Sequence, residues 1–312
     1  LLAYRGEIAV ARAAAAAGIP FTLSTASITG MERVAREAGG QLWFQLYMWP
    51  DQQMSYRLLD RARAAGYDTL VVTIDTVASP NREYIQRNGF GFPFRFNRRN
   101  VMDVLRHPRW LLNVLGRHVW TDGAPTFENY PEEVKHALIS GRGKDAATLK
   151  NETLTWDDLL RLREYWRGTL IVKGILSVAD ACLAVRCGAD GIIVSNHGGR
   201  NFDSALAPIE VLPAIAAAVG GHASIIVDSG FTRGSDVVKA MALGAQAVMV
   251  GRGPLYGVAA GGEAGVQRAL AIYRQEIDRV MAYMGCTDIG RLDGSAIAAP
   301  AVLPAGAAQV RA

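Results

Sequence analysis

Gly191-Ile-Ile-Val-Ser-Asn-His-Gly-Gly-Arg200 is an apolar run that breaks off into a polar cluster. The apolar part reads as a strand buried on both faces, the pattern of a parallel sheet covered by helices. The polar part then lies at the carboxyl end of that strand. There a histidine and an arginine stand three residues apart with two glycines between them, and glycine lets a backbone turn sharply or approach a ligand closely. A base and a fixed cation on one turn suit a substrate that carries both an abstractable proton and a carboxylate.

The same grammar recurs in both directions. An Ala-rich helical segment ends in glycine, a few residues follow, and an apolar run ends in polar side chains. Gly18 precedes Phe21 to Ser24, Gly40 precedes Trp43 to Tyr47, and Gly66 precedes Leu70 to Asp75. Gly188 precedes Gly191 to Ser195, and Gly244 precedes Ala247 to Arg252. Leu170 to Lys173 and Ser224 to Asp228 complete the set of strands. A glycine just past a helix end accepts the left-handed conformation found there. Thr155 with Asp158 reads as a capping box, and Ser235 as the cap of a helix through Val237 to Leu243. Strand alternating with helix means a parallel sheet. Seven such strands predict an α/β fold, a (β/α)8 TIM barrel whose first strand lies ahead of Leu1. A Rossmann sheet is the weaker alternative, since no Gly-x-Gly-x-x-Gly follows a strand. The reading takes residues 1–312 as a single barrel domain with a long inserted connection at about 76–155, far beyond an ordinary βα loop. Within it, His107 to Leu115 is apolar and flanked by basic residues. About 101–120 is therefore a candidate for a membrane interface, or for a helix packed on the barrel or on a neighbouring subunit.

The bulk numbers narrow the classes. The 312 residues, half of them hydrophobic, suffice for one large core. Thirty-three basic residues face 29 acidic ones, and apart from Arg95 to Arg99 they are spread along the chain. No nucleic-acid footprint results. Cys182, Cys187 and Cys286 have neither metal-ligand spacing nor an even-numbered framework; no metal is expected, and a reducing compartment is. The chain shows no signal peptide and no apolar run of bilayer length. It starts at Leu1 rather than Met, so its natural start is expected to lie upstream. The localisation expected is cytoplasmic.

In a βα barrel all strand carboxyl ends face one pocket. Here they present Ser24, Gln45 with Tyr47, Thr73 with Asp75, Lys173, Ser195 with His197 and Arg200, Asp228, and Arg252. Stability alone would not place hydrogen-bonding groups at the end of every apolar strand. The last two ends, Asp228 to Asp236 and Gly251-Arg252-Gly253 with Arg233, have the glycine-rich, cationic form of a barrel phosphate site. They predict a phosphorylated cofactor across the barrel mouth. His197 needs an orienting anion to act as a base, and Asp75 is the available carboxylate. Arg82, a few residues beyond Asp75, is placed to share a substrate carboxylate with Arg200.

Taken together, Phe44-Gln-Leu-Tyr47, Thr73-Ile-Asp75, Lys173-Gly174, Ser195 to Arg200, Asp228-Ser-Gly230 and Gly251-Arg252 resemble the FMN-dependent L-2-hydroxy acid oxidases and dehydrogenases. The resemblance runs from about Gly6 to about Gly285. Leu23 to Ser27 and His107 to Trp110 look most like the membrane-associated mandelate and lactate dehydrogenases of that family. The resemblance implies FMN as cofactor. Ser24, Gln45, Thr73 and Ser195 would bond the flavin ring and ribityl chain, and Lys173 would stabilise negative charge at the flavin's N1 and O2 edge. Asp228, Gly230, Gly251, Arg252 and Arg233 would hold ribityl and phosphate. Tyr47, Arg82 and Arg200 would bind the substrate, and His197 supported by Asp75 would take its proton. It further implies a mandelate- or lactate-like substrate and a quinone or other carrier as electron acceptor. O2 reduction to H2O2 is the alternative, and a non-catalytic flavin-binding barrel is the alternative of another class. A homotetramer, peripheral on the inner face of the plasma membrane, is also implied. Two departures stand out: Thr232 occupies a position where the family usually has an arginine on the phosphate, and the family's first strand and an early substrate-binding tyrosine would precede Leu1.

Overall fold

A computed structural model describes residues 1–78, 80, 82–89, 97–132, 135 and 153–298. Seven strands, β1 Phe21–Ser24, β2 Leu42–Leu46, β3 Thr69–Thr73, β4 Thr169–Ile175, β5 Gly191–Val194, β6 Ser224–Val227 and β7 Ala247–Val248, form one sheet in chain order. Every pairing is parallel. Helices α1 Gly6–Ala16, α2 Met31–Ala38 and α3 Gln52–Ala64 lead into or connect the first strands. The connection after β3 holds α4 Glu83–Arg87, α5 Arg98–Arg106, α6 Pro108–Trp110 and α7 Arg117–Asp122, with a π-helical stretch Leu111–Gly116 joining the last two. Then come α8 Trp156–Tyr165, α9 Val178–Arg186, α10 Pro208–Val219, α11 Gly234–Ala242 and α12 Arg252–Tyr283. This is the parallel βα-barrel architecture expected, and the strand expected ahead of Leu1 is not among these seven. Part of the expected insertion at 76–155, including most of 133–152, lies outside the described residues.

Helix ends follow local chemistry. Thr155 and Asp158 do form a reciprocal capping box at α8. At α11 the expectation of Ser235 as cap is corrected: the helix begins two residues earlier, with Arg233 as the capping residue. The Asp236 carboxylate accepts from the backbone N–H of Thr232 and Arg233, at 3.0 and 2.9 Å. An ionised oxygen is the stronger acceptor for those free N–H groups. Strand β7 is also shorter than read, and Arg252 opens α12 instead of ending a strand. Within α12 the helical path breaks at Gly261 and Gly262. The two limbs fold together where the backbones of Gly257 and Gly265 touch, a contact that a side chain at either position would block.

The period of two along each strand positions the site. Val71, Ile171, Ile193 and Ile226, with Trp43 and Met249 against them, form a separate apolar cluster drawn from the middle of five consecutive strands and the end of β7. The larger core packs on the other face of the sheet beneath the helices. Two residues further along β2 to β6 from the smaller cluster come Gln45, Thr73, Lys173, Ser195 and Asp228. The polar layer therefore sits directly above an apolar plug, on the same face.

The stretch 98–122 carries Met102, Leu105, Leu112 and Trp120 exposed, Trp120 at 91 %. Its inner side is tied down: Arg117 lies over the Tyr4 ring at 4.4 Å, and Trp110 donates through Nε1 to the Leu1 carbonyl at 3.0 Å. His118 is buried on that side. One side of this segment thus packs on the barrel, as the second reading expected, and the other presents exposed apolar side chains.

Candidate active site

The polar layer holds two hydrogen-bonded groups on neighbouring strands. Ser24 Oγ donates to Gln45 Oε1 at 3.0 Å, and Gln45 Nε2 donates to Thr73 Oγ1 at 2.9 Å. These three residues are carried by β1, β2 and β3 side by side. On the next strands Lys173 Nζ donates to Ser195 Oγ at 2.7 Å and pairs with Asp228 Oδ2 at 3.2 Å. Ser195 Oγ also accepts from the His197 backbone N–H at 3.1 Å. The Asp228 carboxylate receives Ser229 Oγ at 2.7 Å, and Ser229 Oγ in turn accepts from the Gly198 N–H at 2.9 Å.

Past the strand ends the backbone is bent hard. His197 has φ +58° and Ser229 φ +76°, both in the left-handed region that side chains usually avoid. This bend turns the His197 ring toward β3, where Nδ1 lies 3.0 Å from Asp75 Oδ1. With Nδ1–H donating to the carboxylate, the Nε2 lone pair remains free to accept a proton. The other carboxylate oxygen, Asp75 Oδ2, is buried and has no hydrogen-bond partner among the described residues. Asp75 fits there because residue 174 has no side chain: a Cβ on Gly174 would lie 2.6 Å from the Asp75 Cβ. The β4–β5 register shift between Lys173 and Ile175 centres on the same glycine.

Arg82 and Arg200 converge at the root of the long connection. Arg82 Nε donates to the Arg200 carbonyl and Nη2 to Asn201 Oδ1, each at 3.3 Å. Burial, and then the neighbouring Arg200, push the Arg82 guanidinium below its usual range. Two guanidinium groups near enough to oppose each other's charge attract an anion. The Tyr47 phenol is pushed up to about 12, first by burial and then by Asp75. It stays a neutral donor through the whole range in which such a site would work.

Of the sequence-predicted residues, Ser24, Gln45, Thr73, Lys173, Ser195 and Asp228 share one layer. Asp75 and His197 form one pair, with Arg82 and Arg200 beside it. Arg252 reaches across to the β5 loop, since a side chain on Gly198 would meet its Nη2 at 3.2 Å. Gly230 and Gly251 face open space. Arg233 departs from the expectation of a cofactor contact. Its guanidinium is paired with Glu276, Nη2 to Oε1 at 2.6 Å and Nε to Oε2 at 3.1 Å, on the outside of α12. A fixed carboxylate holds it in a two-point pair. The sequence reading missed Asn201, and named Ser229 and Gly174 within motifs without giving either a role. A strand-end register irregularity at Gly174 has no sequence signature, and Ser229 was hidden in an Asp-Ser-Gly that reads as an ordinary turn.

The donors of this layer fit a flavin nucleotide. Neutral donors and acceptors on three neighbouring strands end at a lysine, and open glycine backbone with Arg252 follows at β7. The comparisons agree. A model of the FMN-dependent dehydrogenase family matches residues 1–299. The (S)-mandelate dehydrogenase of Pseudomonas putida is 44 % identical over 294 residues, covering 92 % of this chain and 71 % of that protein. An L-lactate dehydrogenase of Xanthomonas campestris pv. campestris is 42 % identical over 299 residues, 95 % of this chain and 76 % of that one. Among solved structures, the monotopic membrane protein (S)-mandelate dehydrogenase superposes with a TM-score of 0.83 at 41 % identity, covering 93 % of this chain and 76 % of the other. The chain belongs to the FMN-dependent dehydrogenase family. It is an oxidoreductase of the CH–OH class, and FMN is its cofactor.

Proposed function

We propose that the protein oxidises an L-2-hydroxy acid, mandelate- or lactate-like, to the 2-oxo acid. The observation that carries this reading is the His197–Asp75 pair standing beside the Arg82 and Arg200 guanidinium groups. A 2-hydroxy acid places its carboxylate one carbon from the bond to be oxidised, so one cation pair and one base suffice to orient and deprotonate it. Arg82 and Arg200 bind the carboxylate, and the Tyr47 phenol donates to the same ligand. His197 accepts the substrate proton at Nε2, while Asp75 holds Nδ1 and stabilises the positive charge. FMN, when bound, supplies the two-electron acceptor. Ser24, Gln45, Thr73 and Ser195 would hold its ring and ribityl chain, Lys173 its electron-rich edge, and Asp228, Gly230, Gly251 and Arg252 its ribityl and phosphate end. Thr232 leaves Arg252 as the arginine of the phosphate end.

Anaerobic addition of (S)-mandelate or L-lactate to the FMN-loaded protein is expected to bleach the oxidised-flavin absorbance in a single turnover. A flavin-loaded protein that neither acid reduces would overturn the reading. Reoxidation by a soluble quinone, faster than by air and without peroxide, is expected for a dehydrogenase. Stoichiometric H2O2 would instead support the oxidase reading.

The acceptor follows from the surface of 98–122. No helix among the described residues is long and apolar enough to cross a membrane. Exposed Leu112 and Trp120, with Arg98, Arg99, Arg106 and Arg109 exposed on the same stretch, suit an anionic lipid interface instead. A solved relative is called a monotopic membrane protein, and electrons would then pass to a membrane quinone. The protein is expected to sediment with anionic phospholipid vesicles, and a Leu112→Glu, Trp120→Glu double variant to stay in the supernatant. Equal partitioning of the two would remove the membrane reading.

A further inference from the structure

Asn201 uses its single amide in two directions. Nδ2 donates to the backbone carbonyl of Asp75 at 3.2 Å, and Oδ1 accepts from Arg82 Nη2 at 3.3 Å. Arg82 Nε meanwhile donates to the carbonyl of Arg200 at 3.3 Å. One edge of the guanidinium is thus docked onto residues 200 and 201, and Nη1 has no hydrogen-bond partner among the described residues. That leaves an N–H edge for an anion, because arginine carries five donors in a fixed fork.

The Arg82 side chain makes no other hydrogen bond among the described residues, and its backbone is held there only by local bonds to Pro80 and Ile85. It precedes α4, where the chain leaves the barrel after β3, and no strand ladder fixes its backbone. It also stands next to a like charge, Arg200, which in the absence of an anion favours swinging away. Asn201 opposes that motion with a neutral acceptor, which draws the guanidinium in without competing as a counter-ion. The other end of the same amide is bonded to the residue whose carboxylate orients His197.

We infer that Asn201 is a positioning residue: it holds Arg82 at a set distance from the Asp75–His197 pair, and so sets the spacing between the carboxylate-binding and proton-accepting ends of the substrate site. Both observed hydrogen bonds of the Asn201 amide go to the protein, so the role assigned to it is to place Arg82 rather than to bind the substrate. The inference rests on the reading of Arg82 as a carboxylate ligand, and the test separates the two.

The experiment is anaerobic stopped-flow reduction of the FMN-loaded protein, with whichever of (S)-mandelate and L-lactate bleaches the wild type. It gives an apparent Kd and a limiting rate for each variant. Asn201→Ala is expected to raise Kd about tenfold, the size of one lost charge-assisted contact, with the limiting rate within about twofold of wild type. Asn201→Gln, which keeps both hydrogen-bonding functions, is expected to recover most of the affinity. Asn201→Asp is expected to bind more weakly than the alanine variant, because its carboxylate neutralises Arg82 in place of the substrate. In an Arg82→Gln background, Asn201→Ala is expected to add nothing further. The inference is overturned if Asn201→Ala leaves Kd unchanged, if its effect persists in full without Arg82, or if the limiting rate falls while Kd does not rise. If Arg82→Gln alone leaves Kd unchanged, the carboxylate reading of Arg82 fails, and the inference with it. Flavin absorbance and melting temperature establish that each variant is folded, and the glutamine variant carries the test if the alanine variant is not.

Discussion

His197→Asn is expected to slow flavin reduction by 2-hydroxy acid about 10³-fold, within the range that a positioned general base supplies, while FMN stays bound. Asparagine is the informative replacement here. Residue 197 has φ +58°, and asparagine tolerates the left-handed region better than glutamine or alanine, so the loop keeps its path. The backbone N–H of residue 197 still donates to Ser195 Oγ, which leaves the Lys173–Ser195 contact intact. What disappears is the imidazole paired with Asp75 that would accept the substrate proton in the proposed reaction. The expected signature is a flavin spectrum like that of the wild type, a substrate Kd within a few-fold, and a collapsed limiting rate in anaerobic rapid mixing. A decrease of less than tenfold would mean that another group takes the proton, and the assignment of His197 would fail.

Lys173→Met is expected to lower stability by about 3 kcal/mol, the typical result of removing one partner from a desolvated ion pair, and to weaken FMN binding as well. Lys173 Nζ lies 3.2 Å from Asp228 Oδ2, with the two side chains only 13 % and 17 % exposed. Methionine fills the space of the lysine stem but supplies no charge. Asp228 would then keep Ser229 as its hydrogen-bond donor in a layer with no cation opposite. Calorimetric or chemical unfolding of the FMN-loaded protein measures the loss. Asp228→Asn in the Lys173→Met background is expected to restore part of it, because the uncompensated carboxylate is gone. If Lys173→Met unfolds like the wild type, the pair contributes no net stability and its place in the layer is for the cofactor alone.

The two variants address different halves of the site. The layer at the strand ends is assembled by sheet registry: residues such as Thr73 and Lys173 are direct neighbours across β3 and β4. The chemistry above it is assembled by loops, and its contacts to Asp75 span the long connection. His197 and Asp75 are 122 residues apart, and Asn201 and Asp75 are 126 apart.

That division marks how much could be read from residues alone. Near-continuous apolar runs, most of them opened by a glycine and all closed by polar groups, determine a parallel βα barrel and which side chains stand at its strand ends, because hydrophobic runs and helix termination are local properties of the chain. The capping box at Thr155 was legible for the same reason. The competition at α11 was not, since choosing Asp236 over Ser235 depends on where the helix begins. Arg233 looked like a phosphate ligand in the sequence, yet it is turned outward by Glu276, which comes 43 residues later on a different helix. Gly174, Ser229 and Asn201 acquire their roles only when β3, β4 and the β5 and β6 loops meet. Local sequence determined the barrel and its ring of strand-end groups. Which of those groups face one another, and which are claimed by a distant partner, was decided by closure of the tertiary structure, because a pairwise contact across a hundred residues depends on geometry that no local pattern encodes.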